Sequence, residues 1–141
     1  MMRRYYEFAL VVVIVSILAT LLLFVLNDIQ SNMEEAAVQA EAASIRSQLL
    51  ERVAHREAFG GRLPDSDNPL DWIANRPPNY VGALDLPPAS NGVWYFDTRS
   101  KELVYSFRDG HLAQFRLTRS ASRENGRGVM AGVGLLRLGK K

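Results

Sequence analysis

Residues 8–26 read FALVVVIVSILATLLLFVL, nineteen consecutive positions without a charge, in which only Ser16 and Thr20 carry polar side chains. At about 1.5 Å per residue such a run, wound as a helix, covers the roughly 30 Å hydrocarbon core of a bilayer. β-Branched residues are frequent in it and prefer strands in water. In hydrocarbon, however, every backbone N–H and C=O must be satisfied within the segment, so a helix is predicted whatever the propensity. The flanks orient it. Arg3 and Arg4 precede the run, whereas Asp28, Glu34, Glu35 and Glu41 follow it before the next basic residue, Arg46. By the excess of basic residues on the cytoplasmic side, residues 1–7 are assigned to the cytoplasm and the chain beyond residue 26 to the far side of the membrane. A cleavable signal peptide is the rival interpretation. Its apolar core is usually about 7–15 residues long and closes on a small-x-small site, which Asn27-Asp28-Ile29-Gln30 does not offer. Retention of 8–26 as a single-pass anchor is therefore expected.

The polar positions around the run carry the candidate contacts. Glu7 stands at its cytoplasmic threshold, where burying a carboxylate would cost several kcal/mol. Two roles are open for it: an acid in the first helical turn that favours the dipole and stays among the headgroups, or an intersubunit contact to an amine. Ala9, Ser16 and Thr20 fall on one helical face, a small-residue ladder able to admit a neighbouring helix.

Residues 5–23, YYEFALVVVIVSILATLLL, resemble the N-terminal helix of type IV pilins and of type II secretion pseudopilins. A short basic leader, a lone glutamate ahead of a Val/Ile/Leu run, and the later step Ile17-Leu18-Ala19 carry the resemblance. It implies that Glu7 neutralises an amino terminus of an adjacent subunit during assembly. The departures are specific. Where the family has glycine followed by an N-methylated phenylalanine, this chain has Met2 and Arg3, so no processing by prepilin peptidase is expected. Phe24 stands where many pilins carry a helix-kinking proline. With these departures the resemblance implies an accessory component of pilus biogenesis, similar to the small pilin-like proteins of mannose-sensitive-haemagglutinin-type pili, or of type II secretion assembly. Its place would be the bacterial inner membrane with a periplasmic head. Its partners would be other pilin-like or pilus assembly subunits.

From Asn27 to Phe59 there is neither Gly nor Pro, and Ala, Glu, Gln and Arg dominate, so residues 27–59 are predicted to continue as an amphipathic helix. Apolar positions recur at Ile29, Met33, Ala36 or Ala37, Ala40, then Ile45, Leu49 and Val53, read as one face. Its alanine-rich early part suits close packing on a partner. Ile45, Leu49, Leu50 and Val53 are expected to seat the molecule's own sheet, with a coiled coil to another subunit as the alternative. Gly60-Gly61 should end the helix.

With 141 residues there is room for one anchor and one small head, residues 60–141. Asp65 to Asp71, DSDNPLD, has the close carboxylates of a calcium loop but not the EF-hand spacing. Asn68 as N-cap and Pro69 at the first helical position explain the same residues as the start of a short helix, Leu70 to Ala74. Calcium stays open only through the resemblance, since some pseudopilin heads bind it. Pro77-Pro78 and Pro87-Pro88 bracket an extended connector. Strands are predicted at Val93 to Phe96, Glu102 to Phe107 and Leu112 to Thr118, parted by the turns TRSK and RDGH, with a last strand from Val129 to Leu138 and a polar loop from Arg119 to Gly128. The class is α+β: a long N-terminal helix packed on a small antiparallel β-sheet, as in pilins.

For catalysis the inventory is poor. There is no cysteine, no G-x-S-x-G, no H-E-x-x-H and no phosphate loop, and the two histidines, His55 and His111, are far apart in sequence. No enzyme, metal, cofactor or small-molecule substrate is inferred. The alternative to an assembly role is a binding module. Residues 99–141 hold ten basic residues against Glu102, Asp109 and Glu124, and Arg119, Arg123 and Arg127 within that surplus are candidates for binding nucleic acid or anionic envelope components.

Overall fold

The computed structural model of the chain describes residues 2–119 and 133–139. Its one long helix, α1, is Met2–Phe59. Gly60 ends it with φ of 76°, and the Gly60 N–H donates to the Arg56 carbonyl at 2.7 Å. Glycine reaches this left-handed conformation without the clash a Cβ would make, and the bond satisfies one of the last helical carbonyls. The chain forms two compact units, Met1–Ala36 and Ala37–Lys141.

In the first unit α1 contains a stretch long and apolar enough to cross a membrane, by length and composition. Its two hydroxyls are satisfied along the helix: Ser16 Oγ donates to the Val12 carbonyl at 2.7 Å and Thr20 Oγ1 to the Ser16 carbonyl at 2.8 Å.

In the second unit five strands follow a 3-10 turn at Pro69–Asp71: β1 (Tyr80–Leu84), β2 (Val93–Asp97), β3 (Glu102–Ser106), β4 (Leu112–Arg119) and β5 (Val133–Leu138), in sheet order β1-β2-β3-β4-β5. From β2 to β5 each neighbour is antiparallel. The Asp97 carboxylate accepts from the Arg99 N–H at 2.9 Å and holds the TRSK turn, while Gly110, at φ 92°, turns the chain at RDGH.

The expectation of an antiparallel sheet needs correction. β1 runs parallel to β2, with Tyr80 opposite Trp94 and Leu84 opposite Asp97, so the sheet is mixed. The proline-bracketed connector is thus partly a strand. Residues 85–92 bring the chain back along it, a shorter return than the dozen or more residues usual for a parallel pair. The pairing slips between Tyr80 and Ala83, where Gly82 takes φ of 115°. The last strand begins at Val133; residues 129–132, like most of the expected polar loop, lie outside the described residues.

The core lies between one face of the sheet and one face of α1. Val38, Ala42, Ile45, Leu49 and Val53 join Trp94, Leu103, Tyr105, Phe107, Phe115 and Leu135 in one buried cluster, with Leu70, Trp72 and Ile73 alongside. Cross-strand register sets the sheet's contribution: Trp94 faces Tyr105 and Ala113 in one row, and Phe96, Leu103 and Phe115 form the next. Trp94 has no exposed surface; its ring meets Tyr105 at 5.1 Å and Phe115 at 5.5 Å. The helical face is narrower than predicted. Leu50 is 57% exposed, because it sits about 100° from Leu49 around the helix. Ala40 and Ile45, five residues apart, also belong to different sides, so the apolar positions from Ile29 to Val53 do not make one face.

Candidate functional site

Two groups of residues were expected to carry function, and they fall in separate units. In the first, Ala9, Ser16 and Thr20 do line up. At about 100° per residue they stay within roughly 40° of one another, but Glu7 falls about 140–180° away. A single neighbouring helix therefore cannot meet the ladder and the carboxylate together. Glu7 pairs with Arg3 of its own chain at 3.6 Å, an exposed contact one turn back. The hydroxyls of Ser16 and Thr20 are spent on their own backbone, so the ladder offers close approach rather than donors.

In the second unit four of the described basic residues, Arg76, Lys101, Arg116 and Arg119, pair with the head's own acids. Arg119 donates to the Ser66 carbonyl at 2.8 Å, lies within 3.8 Å of Asp65 and 4.0 Å of Asp67, and stacks 5.4 Å over the Trp72 ring. Lys101 pairs with Asp67 at 3.1 Å. Arg116 donates to Glu102 at 2.6 Å. Arg123 and Arg127 lie outside the described residues. Of the three arginines proposed to hold an anion, the one described is thus engaged by the 65–72 segment at the surface.

The same contacts explain DSDNPLD. Its Asp71 accepts from Ser66 Oγ at 2.6 Å and lies 3.5 Å from Arg76. Asn68 caps the turn, accepting from the Leu70 N–H at 3.1 Å and donating to the Tyr80 hydroxyl at 2.9 Å. The helix expected over Leu70 to Ala74 is shortened to the 3-10 turn Pro69–Asp71. Among the described residues no group of three or more His, Asp or Glu converges as metal ligands would. The histidines sit apart, His55 against the Phe59 ring at 4.9 Å and His111 stacked on Phe107 at 3.8 Å while bonding Asp109.

Three contacts were not anticipated. The Trp94 indole N–H donates to Glu41, Arg46 Nε donates to the Leu135 carbonyl at 2.9 Å, and Glu102, only 6% exposed, is held by Arg116. A buried carboxylate without such a partner would be costly. The signal for the last pair was present: Glu102 shares a strand face with Val104 and Ser106, and Arg116 shares one with Gln114. Burial and, secondarily, the Asp97 carboxylate raise the Tyr95 phenol above its ordinary value. Comparison with known proteins gives no match, whether with family models, curated proteins or solved structures.

Proposed function

We propose that the chain is a membrane-anchored, pilin-like accessory protein of type IV pilus biogenesis, of the mannose-sensitive-haemagglutinin type, or of type II secretion assembly. It acts by helix packing and protein contact rather than by chemistry. The observation that carries this reading is the uncharged stretch 8–26, exposed along its whole length, on a helix whose later residues seat a small sheet. Arg3 and Arg4 before it and four acids after it favour a cytoplasmic N-terminus and a periplasmic head in the inner membrane. The Ala9, Ser16 and Thr20 face supplies close approach to one partner helix, and Glu7, on another side, serves a second contact. The engagement of Arg119 by Ser66, Asp65 and Asp67 weighs against an anion-binding head.

Affinity isolation of the detergent-extracted protein tests this. Pilin-like or secretion-platform proteins should accompany it, and Glu7→Ala should weaken that recovery while leaving the chain in the membrane. Recovery unchanged by Glu7→Ala would remove the carboxylate from assembly. A head digested from the cytosolic side of sealed vesicles would overturn the orientation.

A further inference from the structure

Among the described residues Asn91 is the one asparagine followed by glycine; the other such step, Asn125-Gly126, lies outside them. In water the main-chain nitrogen after an asparagine attacks that residue's carboxamide, slowly where a Cβ stands beside the nitrogen and faster where glycine leaves the approach clear. The fold accounts for both residues. Gly92 takes φ of 73°, a left-handed conformation that a side chain would strain. The Asn91 carboxamide ties the entry of β2 to the exit of β3, its Nδ2 donating to the Arg108 carbonyl at 3.5 Å and its Oδ1 accepting from Ser106 Oγ at 3.2 Å. The turn therefore brings a reactive step with it, and Asn91 is exposed to water and hydroxide.

The same turn withholds the nucleophile. The Gly92 N–H donates to the Ser106 carbonyl at 2.6 Å, beside the Val93–Ser106 pair that begins the β2–β3 ladder. The nitrogen attacks only after losing that proton, and a proton held between two backbone groups is out of reach of hydroxide until the bond opens. We propose that Asn91-Gly92 is a self-modifying site, kept latent by the folded head and released by local opening at the start of β2. The Gly92 nitrogen then bonds to Asn91 Cγ, the Cγ–Nδ2 bond breaks, and Nδ2 leaves as ammonia with the proton the nitrogen gave up. The product is a succinimide. Water reopens this ring at Cγ to give aspartate, or at the main-chain carbonyl to give isoaspartate, so that one water is consumed and one ammonia released. Either acid lacks the donor that faced the Arg108 carbonyl, and isoaspartate also lengthens the main chain by a methylene just ahead of Val93. A chain that has reacted in the open form consequently closes less well.

The full-length protein in detergent, held in mildly alkaline buffer beside a free peptide of residues 87–96, tests this, with fragmentation mass spectrometry reading the conversion of amide to acid at position 91. The peptide should convert about tenfold faster than the protein or more, the factor that opening the hydrogen bonds at 91–92 imposes. Urea well below the unfolding midpoint, as followed by the fluorescence of the buried Trp72 and Trp94, should already raise the rate in the protein. Asn91→Gln, whose longer side chain has a less favoured ring to close, should leave the position unconverted in the protein and in the peptide. Equal rates in protein and peptide would overturn the latency. Acceleration only in step with the loss of tryptophan fluorescence would overturn local opening, and a peptide that does not convert would overturn the site itself.

Discussion

Residues 8–26 and residues 37–59 belong to one helix and are apolar in opposite ways. The first stretch is oily on every side and every residue of it is exposed, Phe24 at 76%. The second buries Val38, Ala42, Ile45, Leu49 and Val53 and leaves Leu50 in water. Apolarity all round a helix specifies a surrounding medium; apolarity that repeats specifies a surface to lie against. The same side chain consequently has different worth in the two stretches.

The contrast can be broken most decisively in the first. Ile14→Asp with Leu18→Asp sets two carboxylates mid-stretch at about 2.5–3.5 kcal/mol each on an insertion scale, and the chain should move from the carbonate-resistant pellet to the supernatant. Retention would mean that 8–26 does not act as a bilayer span. Neighbouring leucines sharpen the second stretch. In dilute detergent Leu49→Ala should cost about 2–5 kcal/mol, while Leu50→Ala should stay within about 0.5 kcal/mol. Denaturation followed by fluorescence of the buried Trp72 and Trp94 reads both. Asn68→Ala, which removes the cap and the bond to Tyr80, should cost about 1 kcal/mol in the same assay. The smallest effect is alkaline. A phenol raised in the folded state leaves stability intact below its unfolded value, near pH 10, and loses it as pH climbs through the raised value. Tyr95→Phe should flatten that decline, and an unchanged slope would assign it elsewhere.

How much of this was legible depended on range. The end of α1 at Gly60 and the strands β2, β3 and β4 could be read from local chemistry: two glycines, alternating apolar residues, and turns made of Asp, Gly and Ser. β1 could not. Tyr80 to Leu84 lies between two proline pairs, its Val81 is exposed, and its partner strand runs parallel beyond a return loop, none of which leaves a mark at short spacing. The surroundings of the basic surplus were hidden for a related reason. Charge can be counted along the chain, but the acids that take up Arg119 are more than fifty positions away in the 65–72 segment. The division of α1 into differently buried sides was visible in principle, because the five-residue step from Ala40 to Ile45 breaks a 3.6-residue period.

The return loop at residues 85–92 also orders events in time. β2, β3 and β4 are joined by tight turns, so each can zip onto its neighbour as soon as both have been extended. β1 has no such hinge and finds a docking edge only after β2 is in place, which makes it the last of these strands to join and the first to let go. In hydrogen exchange its amides should lose protection while those of β3, flanked on both sides, keep theirs.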